Sequence, residues 1–111
     1  MIWNDLRTEE KQLPQVALVA AKQFAAQEKH EEASRVLEAA IQQDMDPELL
    51  NLYATCPPEL YSRRLAKAEE WLQKYPNDAA LLAAIGRLCI AGELWGQAEH
   101  YLKRSIKARN D

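Results

Sequence analysis

The chain is 111 residues long, 48% apolar, 28% charged and only 7% aromatic, with a net charge of −3. A single small domain is the expectation at this length, and an acidic balance excludes a global positive field that would draw in nucleic acid or an anionic bilayer. Two cysteines without a CxxC, Cys56 and Cys89, are expected reduced and packed rather than bridged, and no apolar run approaches the ~18 residues of a membrane-spanning helix.

Alanine and leucine are abundant while glycine and β-branched residues are scarce, which predicts an all-α fold. In chain order, apolar periodicity and local start and stop signals predict helices over 13–28, 30–43, 46–54, 58–74, 78–91 and 94–108. Pro14, Pro47 and Pro58 suit first helical positions, where a missing N–H is not needed. Pro76-Asn77-Asp78 stops one helix and offers Asp78 as the cap of the next. Gly92 ends another. The segment "TCPPE" (55–59) breaks the chain after a short helix, so the middle of the molecule is its least regular part.

The chain repeats itself. "QEKHEEASRVLEAAI" (27–41) aligns without gaps on "GELWGQAEHYLKRSI" (92–106), an offset of 65 residues. Ala33 then lies over Ala98, Val36 over Tyr101, Leu37 over Leu102, Ala40 over Ser105 and Ile41 over Ile106, the apolar face of a helix. At the same offset Ala20, Ala21 and Phe24 lie over Ile85, Gly86 and Cys89. Each copy is a helix, a short turn and a second helix. A glycine inside a helix costs about 1 kcal/mol relative to alanine, so Gly86 needs a reason. Close approach of two antiparallel helices supplies one, with Gly86 facing Ala98 across the turn and Ala21 facing Ala33 in the first copy.

These spacings resemble the tetratricopeptide repeat (TPR). The last copy offers Leu82, Ile85, Gly86, Cys89, Ala98, Leu102, Ser105 and, where the family has proline, Asn110. The first offers Ala17, Ala20, Ala21, Phe24, Ala33, Leu37 and Ala40, with Met45 in place of the proline. A middle copy keeps Leu65, Ala68, Trp71, Leu72 and Pro76, while its first helix departs from the pattern. The resemblance implies one TPR-like domain over 1–111, a right-handed superhelix of antiparallel helix pairs with repeats at 13–45, 46–77 and 78–111, the middle one shortened.

A narrower resemblance lies in "AEEWL", "YPND", "LLAAIGRLC" and "LWGQAEHYLKRS" within 68–106, with Trp3, "PQVALVAAKQF" and "DPELLNLYA" upstream. These segments are similar to the end of HemY proteins of proteobacteria. The resemblance implies a C-terminal piece of a longer protein anchored in the inner membrane by N-terminal helices, with this domain on the cytoplasmic side and an association with haem and porphyrin biosynthesis. No GxGxxG flavin fingerprint is present, so it does not imply the flavin-dependent porphyrinogen oxidase that carries a similar label.

For function, the residues favour binding over catalysis. His30 and His100 lack metal-ligand spacing, so no metal is expected. The Glu pairs at 9–10, 31–32 and 69–70 read as solvated helix faces rather than acid/base pairs. No nucleophile elbow or phosphate loop occurs, so the chain is expected not to be an enzyme; a catalytic accessory role ranks last. The leading expectation is a protein-interaction scaffold. The TPR resemblance places Lys22 and Arg87 at equivalent concave positions, with Tyr53 in the middle repeat, and Gln15, Leu18, Ala80, Ala83 and Ile90 around them. Two cations and an aromatic in an apolar groove would hold an acidic or C-terminal peptide. The rival is a tetrapyrrole-binding or regulatory module in which the Cys56 thiolate ligates haem; against it, "CPP" also reads simply as the end of one helix and the start of another. No cofactor is otherwise expected. The tail "KRSIKAR" (103–109) reads as cations complementing a helix C-terminus, not as a nucleic-acid or lipid patch. On the last helix Tyr101, Leu102 and Ile106 are expected inward, and Lys103, Arg104 and Lys107 outward. Val16, Leu18, Val19 and Phe24 exceed what one partner helix covers, so a monomer or a weak homodimer is expected.

Overall fold

The computed structural model describes residues 7 and 13–110, and among these the fold is all-α, with no strand. Trp3 and the Glu pair at 9–10 lie outside the described residues. The chain divides between Leu49 and Leu50 into two compact units.

The first unit is built on a helical hairpin, α1 (Pro14–Ala26) packed on α2 (His30–Gln43). Pro14 opens α1 at its first turn, as its fixed φ favours. The packing face of α1 is made of small residues, with Ala17, Ala20 and Ala21 all buried. α2 carries Glu31 and Glu32 in its first turn, where carboxylates complement the helix dipole. It buries Ala33, Ser34, Val36, Leu37, Ala40 and Ile41 on one face. The Asp46 carboxylate then accepts from the backbone N–H groups of Glu48 (2.9 Å) and Leu49 (3.3 Å) and so starts α3 (Pro47–Ala54), within which the division falls.

In the second unit, Pro57 and Pro58 turn the chain after α3. The Leu60 N–H reaches back to the Pro57 carbonyl (3.0 Å) in a 3-10 turn over Pro58–Leu60. The α-helix expected from residue 58 therefore begins only with α4 (Tyr61–Lys74). Asp78 caps α5 (Ala79–Ala91) by accepting from the Leu81 N–H at 3.0 Å. α5 packs extensively on α6 (Trp95–Asn110), and α4 packs against α5. The core of this unit includes Leu50, Tyr53, Leu65, Ala68, Trp71, Leu81, Leu82, Ile85, Leu88 and Cys89.

The turns of the two hairpins are the same turn 65 residues apart. Lys29 N–H bonds the Phe24 carbonyl and Glu28 N–H bonds that of Ala25; Leu94 N–H bonds the Cys89 carbonyl and Glu93 N–H bonds that of Ile90. This paired-bond C-cap satisfies the last carbonyls of α1 and α5 and needs a left-handed residue. Glutamates fill that place, Glu28 at φ 61° and Glu93 at φ 59°. Gly92, expected to end its helix, does so as the cap itself at φ −91°, a conformation open to any residue. Its lack of a side chain serves another purpose: a Cβ there would collide with the Tyr61 ring.

At Gly86 a Cβ would stand 2.6 Å from Leu102 Cδ2 and 3.5 Å from the Ala98 carbonyl oxygen. The glycine thus lets α5 and α6 approach. Ile106, expected inward, is 58% exposed. Its counterpart Ile41 is fully buried. Arg104, expected outward, is half-buried.

Candidate interaction surfaces

On α1, Lys22 and Gln15 are exposed and Leu18 is half-buried, with Val19 exposed beside them. On α5, Arg87 and Ile90 are exposed one turn apart, with Ala80 and Ala83 half-buried. Ala21 and Ala33 are buried in the first unit, Gly86 and Ala98 in the second. Lys22 belongs to one compact unit and Arg87 to the other, and each surface stands on its own.

Tyr53 is not a surface residue. Its side chain is completely buried, with its ring centroid 5.3 Å from that of Trp71. Arg64, itself 3% exposed, lies 4.9 Å above the Tyr53 ring and donates from Nη1 to the Tyr53 carbonyl at 2.8 Å. The guanidinium therefore terminates α3 from the following helix and occupies the space beside the aromatic. A short helix has few carbonyl acceptors satisfied within itself, which is why a cation is drawn into the core here.

Cys56 is a free, half-buried thiol. Burial pushes it up from its ordinary value; the Arg64 guanidinium works against this and the Glu59 carboxylate adds to it. A thiol held in its protonated form is a poor axial ligand, since the thiolate is the species that binds metal. Cys89 is fully buried and free, and burial followed by the Glu69 charge pushes its thiol up as well. Among the described residues no group of three or more His, Cys, Asp or Glu side chains is placed to hold a metal ion. His100 is exposed and lies edge-on to Tyr101 at 5.5 Å. Glu69 is half-buried and accepts from the Tyr101 hydroxyl at 3.3 Å, so this carboxylate serves the packing of α4 and α6. No described helix is long and apolar enough to cross a membrane.

A depression of about 350 Å³ opens between the start of α5 and the end of α6, lined by Asn77, Leu82, Arg104, Lys107 and Ala108. Arg104 donates to the Pro76 carbonyl at 3.1 Å and lies 5.7 Å over the Tyr101 ring. Ser105 anchors the same helix by donating to the Ala79 carbonyl at 2.7 Å. Sequence reasoning passed over this site by assigning Arg104 and Lys107 to the helix dipole. Their i, i+3 spacing, which puts both on one face, was the available signal.

No family model, curated protein or solved structure matches the chain.

Proposed function

We propose that the chain is a TPR-like interaction scaffold, and that the longer protein it resembles works at the cytoplasmic face of a bacterial inner membrane in association with haem and porphyrin biosynthesis. The observation that carries the scaffold reading is the recurrence, at 65 residues, of one helix–turn–helix unit with the same hydrogen-bonded turn. Units that recur in this way build extended binding surfaces by stacking. Lys22 and Arg87, at matching positions of the two copies, are both exposed and offer cations to an acidic or C-terminal segment of a partner. Leu18 and Ile90 supply apolar contact beside them. The association with haem synthesis rests on the sequence resemblance alone.

Affinity capture with the full-length protein in its native membrane tests both parts. Recovery of haem-pathway enzymes, lost on combining Lys22→Glu with Arg87→Glu, is the expected result. Retention by the double variant removes the groove assignment. Co-purifying porphyrin, with a thiolate-type Soret band abolished by Cys56→Ala, would put the Cys56 module in its place.

A further inference from the structure

We infer that the depression between the start of α5 and the end of α6 docks an acidic segment of a partner protein, with a side-chain carboxylate against Arg104 and Lys107 and a neighbouring aliphatic side chain over Leu82 and Ala108. The site includes neither Lys22 nor Arg87, and the inference does not depend on the reading given to them.

Three features of the depression fit this occupant. Among the described residues its lining is charged with one sign: Arg104 and Lys107 contribute two cations and no described lining residue is a carboxylate. The nearest acid in the sequence to Asn77, Asp78, has its carboxylate engaged in capping α5 through the Leu81 N–H. Secondly, Arg104 is held in place before any ligand arrives. Its Nη2 donates to a neutral carbonyl, that of Pro76, and its guanidinium lies over Tyr101. Among the described residues no carboxylate forms an ion pair with it or with Lys107, in contrast to Lys103 of the same helix, which pairs with Glu99 at 2.8 Å. A guanidinium fixed in this way loses little freedom on accepting a carboxylate, and its remaining N–H donors suit that planar acceptor. Thirdly, the floor is apolar. Half-buried Ala108 sits beside the cations and supplies most of the apolar contact, since Leu82 lines the depression while only 1% exposed, so the depression favours an aliphatic neighbour to the acid over a free inorganic anion. About 350 Å³, at the small end of the range for binding clefts, accommodates one or two side chains.

The test is a titration of the isotopically labelled 111-residue chain, followed through its backbone amide resonances. The probes are an acetylated, amidated Leu-Glu-Leu tripeptide, its Leu-Gln-Leu counterpart, and inorganic phosphate. Saturable shifts centred on Asn77, Leu82, Arg104, Lys107 and Ala108 are expected with the Glu peptide. The Gln peptide and the Lys107→Gln variant should each bind at least about threefold more weakly, in keeping with loss of one exposed ion pair. Lys74→Gln, an exposed lysine outside the depression, should bind as the parent does. Raising the salt concentration should weaken the Glu peptide's binding. Absence of shifts at these five positions, or equal binding of the Gln peptide, overturns the inference. Saturation by phosphate at the same concentrations also overturns it, in favour of a small-anion site.

Discussion

Gly86 is the residue on which the α5–α6 hairpin closes. Its equivalent Ala21 carries the methyl group that Gly86 lacks, and faces the equivalent helix in the first hairpin with both Ala21 and Leu37 buried. The methyl is therefore compatible with this kind of hairpin, but not with the present seat of Leu102. Gly86→Ala should gain about 1 kcal/mol of helix propensity and lose about 2–3 kcal/mol to overpacking, a net destabilisation of about 1–2 kcal/mol, read from urea unfolding. A concurrent Leu102→Ala should remove most of the clash, so the two substitutions will be strongly non-additive. Arg64 poses the opposite case, a cation in the core. Arg64→Ala strips the donor from the buried Tyr53 carbonyl and the stem from its packing, and should cost about 2–3 kcal/mol. The same urea experiment checks it, and an effect below about 0.5 kcal/mol, the level of an ordinary surface change, would mean the bond contributes nothing.

At the scale of elements, the shared turn carries a backbone cost of its own. Left-handed backbone costs a side chain about 1–2 kcal/mol, a cost glycine escapes. Glu28 and Glu93 both bear it, although the hydrogen-bonded cap is complete around each. Glu28→Gly and Glu93→Gly should each raise stability by about 0.5–1 kcal/mol, once glycine's greater freedom in the unfolded chain is subtracted. Thermal unfolding would show this as an increase of a few degrees in Tm; a decrease would mean that the glutamate side chains make stabilising contacts of their own. Helix α3 ends differently. Thr55 serves the Asn51 and Leu52 carbonyls through its hydroxyl and N–H, two prolines and a 3-10 turn follow, and Arg64 from α4 donates to the Tyr53 carbonyl. The irregular middle was legible in "TCPPE", but the identity of the residue that compensates for it was not, because Arg64 is 11 positions from the carbonyl it serves.

For the molecule as a whole, three buried or partly buried acids point to one pH dependence. Cys56 and Cys89 are raised from 9.0 and Tyr101 from 10.0, each chiefly by burial. A raised value means that the folded chain holds its proton more tightly than the unfolded chain does. The associated stability is complete below the unfolded values and is lost as pH rises through the folded ones. Tm should therefore fall as pH rises above about 9, and the slope should be shallower in Cys89→Ala; an unchanged slope would exclude the thiol as a contributor. Much of the fold was readable from residues alone. Local chemistry determined the helices, the Asp78 cap, the 65-residue recurrence and the need for an empty place at Gly86, because propensity, capping and periodicity act over a few neighbouring residues. Only the tertiary structure decided that Tyr53 is core rather than groove, that Ile106 remains exposed, that Gly92 makes room for Tyr61, and that Arg104 and Lys107 share a depression with Leu82. Each of these depends on which distant side chain occupies a given space, and periodicity specifies the face a residue lies on but not what covers that face.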